Sequence, residues 1–202
     1  MLGIDRLDDH LLNAATLTLT KAFHTDPLYA WIFPGPAERS RALGHLLRVG
    51  LRYGLRRGHV TQSDAAKAVA IWMPPGRSVT PGGMIRAGML AIPFRVGFRP
   101  FGRFMGAMGV MEKIHKRRVS EPHWYLMIVG VDTELQGQGR GAALVKEGLD
   151  RADREALPCY LETSEERNLR FYGRLGFKVV ESARLGAGGP EVWAMLRETP
   201  NP

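Results

Sequence analysis

Cysteine is nearly absent from this chain of 202 residues. Cys159 stands alone, which excludes an internal disulfide and a cysteine-based metal cluster. None of the six histidines has metal-ligand spacing to another, so we expect no bound metal. Apolar runs of about 18 residues, as needed to cross a bilayer, are lacking. The N-terminal stretch carries acids where a signal peptide carries bases, and the sequence therefore predicts a cytoplasmic protein.

Negative charge is also scarce. The chain has 20 Asp and Glu residues against 28 Lys and Arg residues, a formal net charge of +8, which favours anionic partners. The imbalance is largest in residues 81–119, where the one acid is Glu112 and the basic residues are Arg86, Arg95, Arg99, Arg103, Lys113, Lys116, Arg117 and Arg118. We predict that this segment forms two helices broken near Pro93 and Pro100.

Periodic apolar residues outline the remaining elements. Helical spacing of apolar residues predicts helices over residues 9–23 and 38–58. The pattern also predicts a short apolar helix or turn over 28–33 and two strands around the Asp64-Ala65 turn. The second half predicts, in order, a strand at 124–131, a helix at 140–156, a strand at 159–164, a helix at 166–176 and a closing hairpin. This order indicates an α/β fold in a single domain over residues 1–202, with the basic helical segment as an excursion between strands.

A glycine-spaced turn follows the strand at 124–131. The stretch VDTELQGQGRGAALV places glycines at every second position from Gly137 to Gly141, at the start of a helix. A Walker phosphate loop is excluded by sequence, and a dinucleotide-binding fingerprint is disfavoured because five residues separate the strand from Gly137. A connector without a ligand remains an alternative. Unpaired N–H groups and the helix dipole would otherwise suit a pyrophosphate, with Arg140 and Lys146 adding charge.

These residues resemble the GNAT superfamily of acetyl-CoA-dependent N-acetyltransferases. Residues 136–141, QGQGRG, match its Q/R-x-x-G-x-G/A signature. The stretches YLETSEERNLRFYGRLGF, AFHTDP and AVAIWMPPG look like the puromycin N-acetyltransferase-type branch, which includes antibiotic-resistance enzymes. The resemblance spans most of the chain and is weakest over residues 81–119 and at the N-terminus. It implies a mixed, mostly antiparallel central sheet with splayed central strands, flanked by helices.

The resemblance also implies where acetyl-CoA binds. The backbone of the central strand would pair with pantetheine, with the Val131 N–H as donor to the thioester oxygen, and the turn would hold the pyrophosphate. Many members carry a cofactor-contacting asparagine where this chain has Glu165. Asn168 either takes over this contact or is an amide on the helix surface. The expected cofactor-binding residues are Val129, Gly130, Val131, Gln136, Gly137, Gln138, Gly139, Arg140, Gly141, Ala142 and Asn168.

Two residues are candidates for proton transfer. The resemblance places Tyr172 near the thioester sulfur, where its hydroxyl could protonate the thiolate; the alternative is a core aromatic. Glu162 ends a strand, and a buried carboxylate there would have a raised pKa and could accept the proton of an attacking amine directly or through a water. Its alternative is a structural acid that binds backbone or pairs with an arginine.

The acceptor is expected to be a small-molecule amine. Trp124 and Tyr29 are candidates to stack on it, with core packing as the alternative for both. A rival function is an anionic-surface binder that uses residues 81–119, and a third is a non-catalytic acetyl-CoA sensor. We expect neither nucleic acid nor membrane as a partner, because Phe94, Phe98, Phe101 and Phe104 recur at intervals typical of a helix face packed on a core. The Met-rich part of the segment would suit a homodimer contact.

Overall fold

A seven-stranded sheet organises the protein. The computed structural model describes residues 3–77 and 79–199. Its strands are β1 (Asp5–Arg6), β2 (His59–Ser63), β3 (Ala68–Met73), β4 (Trp124–Val131), β5 (Cys159–Thr163), β6 (Lys178–Arg184) and β7 (Glu191–Arg197). Their spatial order is β1-β2-β3-β4-β5-β7-β6, and every neighbouring pair is antiparallel except β4 and β5. The mixed, mostly antiparallel sheet predicted from the sequence is confirmed.

The parallel pair β4 and β5 separates soon after it begins. Residue pairing is limited to Trp124 with Cys159 and Tyr125 with Tyr160. Beyond these two pairs β4 continues along β3 to Val131, and β5 continues along β7 to Thr163. The facing edges of the two strands therefore part in the middle of the sheet.

Helices cover both faces of the sheet. They are α1 (Leu12–Ala22), α2 (Pro27–Ile32), α3 (Pro36–Arg57), α4 (Pro81–Ala87), α5 (Ile92–Val96), α6 (Phe98–Arg118), α7 (Arg140–Arg154) and α8 (Arg167–Gly173). Helices α1 to α6 pack on one face, and α7 and α8 pack on the other. The approach of α7 is close, because a Cβ on Gly148 would lie 2.2 Å from the Trp72 ring.

The basic segment differs from its sequence prediction. Its helices are interrupted at Gly88 and Gly97, both at positive φ (113° and 86°), and not at the prolines. Pro93 and Pro100 instead lie in the first turns of α5 and α6, where a missing N–H costs no hydrogen bond. The glycines break the helix because the left-handed conformation is accessible to them at little cost.

The phenylalanine pattern of this segment was also misinterpreted. Phe104 is buried and Phe101 is partly buried, as expected for a helix face on a core. Phe94 and Phe98, in contrast, are 79% and 68% exposed. Gly97 interrupts the helix between Phe94 and Phe98, so their spacing of four residues does not place them on one continuous helix face that packs on the core.

Candidate active site

A cleft of about 650 Å³ opens where β4 and β5 part. One wall is formed by the end of α1 and the turn after it, with Ala22, Phe23 and Asp26. A second wall consists of residues 129–131 at the end of β4 and most of the turn 135–142. The third is formed by α8 and its flanking residues, including Asn168 and Tyr172. Most of the residues predicted to hold the cofactor therefore line one cavity; Gln138 lies outside its lining.

Backbone conformation explains two of the glycines in the turn. Gly137 and Gly139 have φ values of 74° and 80°, and a Cβ on either would meet nothing within 4 Å. Their requirement for glycine is thus conformational. Gly139 is the N-cap of α7 and provides no side-chain acceptor for the first-turn N–H groups. These groups remain available to a bound anion at the edge of the cleft.

Hydrogen bonds of polar side chains stabilise this turn. The Gln136 amide donates to the Val131 carbonyl (3.2 Å), which ties the turn to the end of β4. Arg140 donates to Asp64 (Nε to Oδ2, 2.9 Å) and to the Gln138 side-chain oxygen (2.7 Å). Because its guanidinium is already paired, Arg140 contributes less free charge to the cleft than its position in the sequence indicates. The predicted charge of Lys146 is likewise paired, with Asp150.

Tyr172 is held in the cleft by packing. Its ring makes edge contacts with Phe171 and Phe177, with centroid distances of 4.9 and 5.9 Å. Burial raises the pKa of the Tyr172 hydroxyl, and the negative charge of Asp26 raises that pKa further. The Tyr172 hydroxyl therefore stays protonated at neutral pH.

Asp26 is a cleft residue that sequence reasoning missed. Its Oδ1 accepts hydrogen bonds from Ser164 Oγ (2.9 Å) and from Leu28 N (3.0 Å), so it caps α2 and links that helix to the end of β5. Burial raises the Asp26 pKa, the bonds from Ser164 and Leu28 oppose the shift, and the nearby charge of Glu165 adds to it. An aspartate followed by proline at a helix start was the available signal, but it indicates a cap and not a neighbour of Tyr172.

Asn168 both lines the cleft and supports its wall. Its Nδ2 donates to Thr163 Oγ1 (3.2 Å), which also accepts from the Glu165 N–H (3.2 Å). These bonds fasten the first turn of α8 to the end of β5. Glu165, at the position where many relatives of the predicted family carry asparagine, lines the cleft as well.

Glu162 lies outside the lining of this cleft. Side chains alternate along β5, so Glu162 lies on the same face of the sheet as Tyr160, the face that α2 and α6 cover. Cys159 and Leu161 lie on the other face and pack against α7 and α8. Burial raises the pKa of Glu162 to about 7, and the adjacent Tyr125 and Tyr160 hydroxyls oppose the shift. The residue as a whole is half-buried, and the Glu162 carboxyl changes protonation near neutral pH.

The two aromatic residues predicted to contact the acceptor are on opposite faces of the sheet. Tyr29 packs on the α2 and α6 face, in edge contact with Phe23 (5.8 Å), which itself lines the cleft. Trp124 is buried against α7, and its Nε1 donates to Glu155 (2.8 Å). The structure therefore places Tyr29 beside the cleft and Trp124 in the core.

Within residues 3–77 and 79–199, no three His, Cys, Asp or Glu side chains are grouped so that they could hold a metal ion. None of the helices in this part of the chain has the length and apolar composition that crossing a bilayer requires.

A family model and a curated protein that match this chain are both acetyltransferases by description. A model of the acetyltransferase (GNAT) family matches residues 96–177. An uncharacterized N-acetyltransferase of Schizosaccharomyces pombe is 25% identical over 193 residues, covering 91% of this chain and 78% of the relative.

Solved structures share the fold. A Corynebacterium glutamicum protein described as histone acetyltransferase HPA2 and related acetyltransferase aligns with a TM-score of 0.66 and 22% identity. The alignment covers 100% of this chain and 99% of that chain. The polyamine N-acetyltransferase of Drosophila melanogaster, which forms N-acetylagmatine, aligns with a TM-score of 0.62 and 17% identity, over 98% and 100% of the two chains. Arylalkylamine N-acetyltransferase 2 of Aedes aegypti gives 0.60 and 12%, over 98% and 99%.

The match to the GNAT family model and the curated relative support an enzyme of the acyltransferase class. Proteins of this family use acetyl-CoA as the acetyl donor. The structural neighbours support the fold.

Proposed function

We propose that this protein transfers the acetyl group of acetyl-CoA to the primary amine of a small molecule, as one acetyltransferase domain. The observation that carries the proposal is the cleft between β4 and β5. It brings together the uncapped start of α7, the end of β4 and the buried Tyr172. We retain the resemblance to the puromycin N-acetyltransferase-type branch as part of this proposal.

The cofactor would be held chiefly by backbone groups. The N–H groups of residues 137–142 suit the diphosphate of coenzyme A, because the first turn of a helix combines free donors with a positive dipole end. Residues 129–131 offer a strand edge that β5 leaves unpaired, to which the amides of pantetheine can bind. Asn168 lies on the same cavity wall as Tyr172 and completes the set.

Transfer then requires two proton movements. The amine nitrogen attacks the carbonyl carbon, the carbon–sulfur bond breaks, and the nitrogen loses a proton. Glu162, or a water that it orders, accepts this proton, since its pKa of about 7 leaves much of the carboxyl ionised at neutral pH. Tyr172 donates its hydroxyl proton to the departing thiolate.

The acceptor would enter from the face that carries α2 and α6. Glu162 and the aromatic rings of Tyr29, Tyr125 and Tyr160 lie on this face, which suits an amine attached to an apolar body. The names of three structural neighbours mention small amines as well: a polyamine, an arylalkylamine and agmatine N-acetyltransferase. The net charge of +8 makes a polyamine the less suitable of these substrates.

The proposal is tested by thiol release from acetyl-CoA across a panel of amines that includes puromycin. We expect release with at least one amine, and Tyr172→Phe should lower its turnover about 100-fold while leaving acetyl-CoA affinity nearly unchanged. Tyr53→Phe, a buried tyrosine on α3 outside the cleft lining, is the matched control and should keep its turnover.

Two results would contradict the proposal at different levels. Unchanged turnover in Tyr172→Phe would remove Tyr172 from the proton transfer but leave the reaction in place. Absence of both acetyl-CoA binding by calorimetry and thiol release with every amine would contradict the reaction itself.

A further inference from the structure

Exposed bulky apolar side chains are concentrated in one part of the molecule. Within the described residues, most of the large hydrophobic side chains that face solvent belong to residues 85–105: Ile85 (46%), Leu90 (65%), Phe94 (79%), Phe98 (68%) and Met105 (47%). Scattered exposed apolar residues need no explanation, whereas a cluster of them marks an interaction surface.

Two of these side chains contact each other, and two more lie close to them along the helices. Phe94 and Phe98 contact each other edge to face, with ring centroids 5.5 Å apart. Leu90 is four residues before Phe94, and Met105 is seven residues after Phe98 in α6, so each follows the same helical side as its partner. We name Leu90, Phe94, Phe98 and Met105 the phenylalanine patch.

Uncompensated positive charge surrounds the phenylalanine patch. Arg86, Arg95, Arg99 and Arg103 are exposed, and none of them forms an ion pair within the described part of the chain. Residues 81–111 contain no acid. The other end of α6 differs, because Lys116 pairs with Glu112 there, and Arg117 and Arg118 pair with Glu181.

The positive field continues onto the neighbouring helix. Burial lowers the pKa of His45 on α3, and the charges of Arg95 and Arg48 lower it further. Helices α3 and α5 pack against each other, so the basic surface spans both elements.

We propose that the phenylalanine patch docks on the surface of an anionic phospholipid membrane. The apolar side chains would enter the headgroup region, and the surrounding arginines would contact lipid phosphates. A second copy of this chain fits poorly, because it would bring the same unpaired arginines face to face. Nucleic acid would match the arginines but would leave the aliphatic Leu90 and Met105 in water, since neither has a ring on which a base can stack.

This inference does not depend on the proposed acetyl transfer. No residue of the phenylalanine patch lines the cleft, and vesicle binding is measured without substrate. Failure of one proposal would therefore leave the other untouched.

The test is cosedimentation of the full chain with vesicles of phosphatidylcholine alone or mixed with phosphatidylserine. We expect binding to the mixed vesicles, weakening as salt is raised, and at least about tenfold less binding to phosphatidylcholine alone. Phe94→Ser with Phe98→Ser should lower binding to mixed vesicles at least about tenfold, and Arg95→Glu with Arg99→Glu should do the same.

A matched control uses exposed apolar residues outside the patch. Leu17→Ser with Val179→Ser removes side chains that are 59% and 48% exposed elsewhere, and this variant should bind like wild type. The substituted side chains are all exposed, so thermal unfolding should be nearly unchanged, and it verifies that each variant folds.

Three outcomes would overturn the inference. The first is equal binding of wild type to both kinds of vesicle, or to neither. The second is wild-type binding by both patch variants. The third is a patch that instead supports self-association in sedimentation velocity, or DNA binding, when vesicle binding is absent.

Discussion

Burial raises the pKa of three groups around the central strands. The pKa of Glu162 rises to about 7, and the pKa values of Asp26 and Tyr172 are also raised, with burial as the largest cause in each case. The charge of Asp26 further disfavours ionisation of Tyr172. In the proposed reaction Tyr172 donates a proton and the Glu162 carboxyl accepts one, from opposite faces of one sheet.

Replacing Glu162 with Gln tests its role as a base. Wild-type turnover should rise with pH, with an apparent pKa near 7, and level off above it. The Gln variant should lose this rise and fall at least about 100-fold in turnover at pH 8. The measurement is a pH–rate profile with an accepted amine, and an unchanged profile would assign the titration to another group.

The same substitution tests the cost of burying Glu162. Its pKa is raised from 4.5 to about 7 on folding, so the unfolded chain releases the proton first. Wild type should therefore lose stability relative to the Gln variant as pH rises from about 4.5 to about 7, by roughly 2 kcal/mol in the free energy of unfolding. Urea unfolding at about pH 5 and pH 8 measures this loss, and a constant difference between the proteins would contradict it.

Asp26 is tested with two substitutions. Asn keeps the oxygen that accepts from Ser164 and Leu28 but cannot ionise, so Asp26→Asn should be as stable as wild type in acid and more stable at alkaline pH. The physical reason is that a raised pKa makes the carboxylate increasingly costly as pH rises from its ordinary value through the folded-state value. Asp26→Ala loses the helix cap and should cost about 1 kcal/mol. Urea unfolding at acid and alkaline pH measures both variants, and a loss in Asp26→Asn equal to that in Asp26→Ala would contradict the prediction, because it would show that the carboxylate stabilises the fold.

At the scale of elements, the glycines in the turn between β4 and α7 differ in backbone conformation and in their surroundings. Gly137 and Gly139 adopt the left-handed conformation in open space. Gly141 has no positive φ, and a Cβ there would lie 3.4 Å from Val131 and 3.9 Å from Phe171. The first two shape the turn through their backbone conformation, whereas a Cβ at Gly141 would make ordinary van der Waals contacts with these side chains.

Gly139→Ala should disturb this turn through its backbone. The left-handed conformation costs an L-residue about 1–2 kcal/mol, which should appear as lost stability together with weaker coenzyme A binding. Gly106→Ala on α6 is the matched control, because its Cβ also meets open space but its backbone is helical; it should gain about 0.5–1 kcal/mol. Urea unfolding and calorimetry measure the two effects. Unchanged coenzyme A affinity in Gly139→Ala would show that the conformation of this turn does not contribute to cofactor binding.

At the scale of the whole molecule, the parting of β4 and β5 connects distant elements. The cleft walls come from α1, the end of β4 and α8, which lie in separate parts of the chain. A ligand in this cleft would therefore contact elements from both faces of the sheet, and its binding would raise the free energy of global unfolding.

Coenzyme A should stabilise the folded protein through these contacts. A ligand that binds only the native state at about 100 times its Kd adds about 2.7 kcal/mol to the free energy of unfolding. Pantetheine, which lacks the diphosphate, should stabilise less, because it leaves the donors at the start of α7 unused. Thermal unfolding with each compound measures the difference. Equal effects would contradict the assignment of the turn to the diphosphate.

The sequence by itself determined the features that depend on neighbouring residues. Apolar periodicity predicted the strands and most helices, and glycine spacing together with the segment around Tyr172 predicted the turn and the fold. Backbone propensity and the alternation of side chains act over a few residues, so a sequence displays them directly. The resemblance added the expectation that the central strands separate, which two residue pairs between β4 and β5 confirm.

Tertiary structure alone decided which distant residues meet. Asp26 binds Ser164 across 138 positions of the chain, and no local pattern announces such a contact. Trp124 and Glu162 fall on opposite faces because strand register sets the direction of each side chain. Phe94 and Phe98 are spaced like residues on one side of a helix, but Gly97 separates α5 from α6, and the packing of these helices leaves both rings exposed.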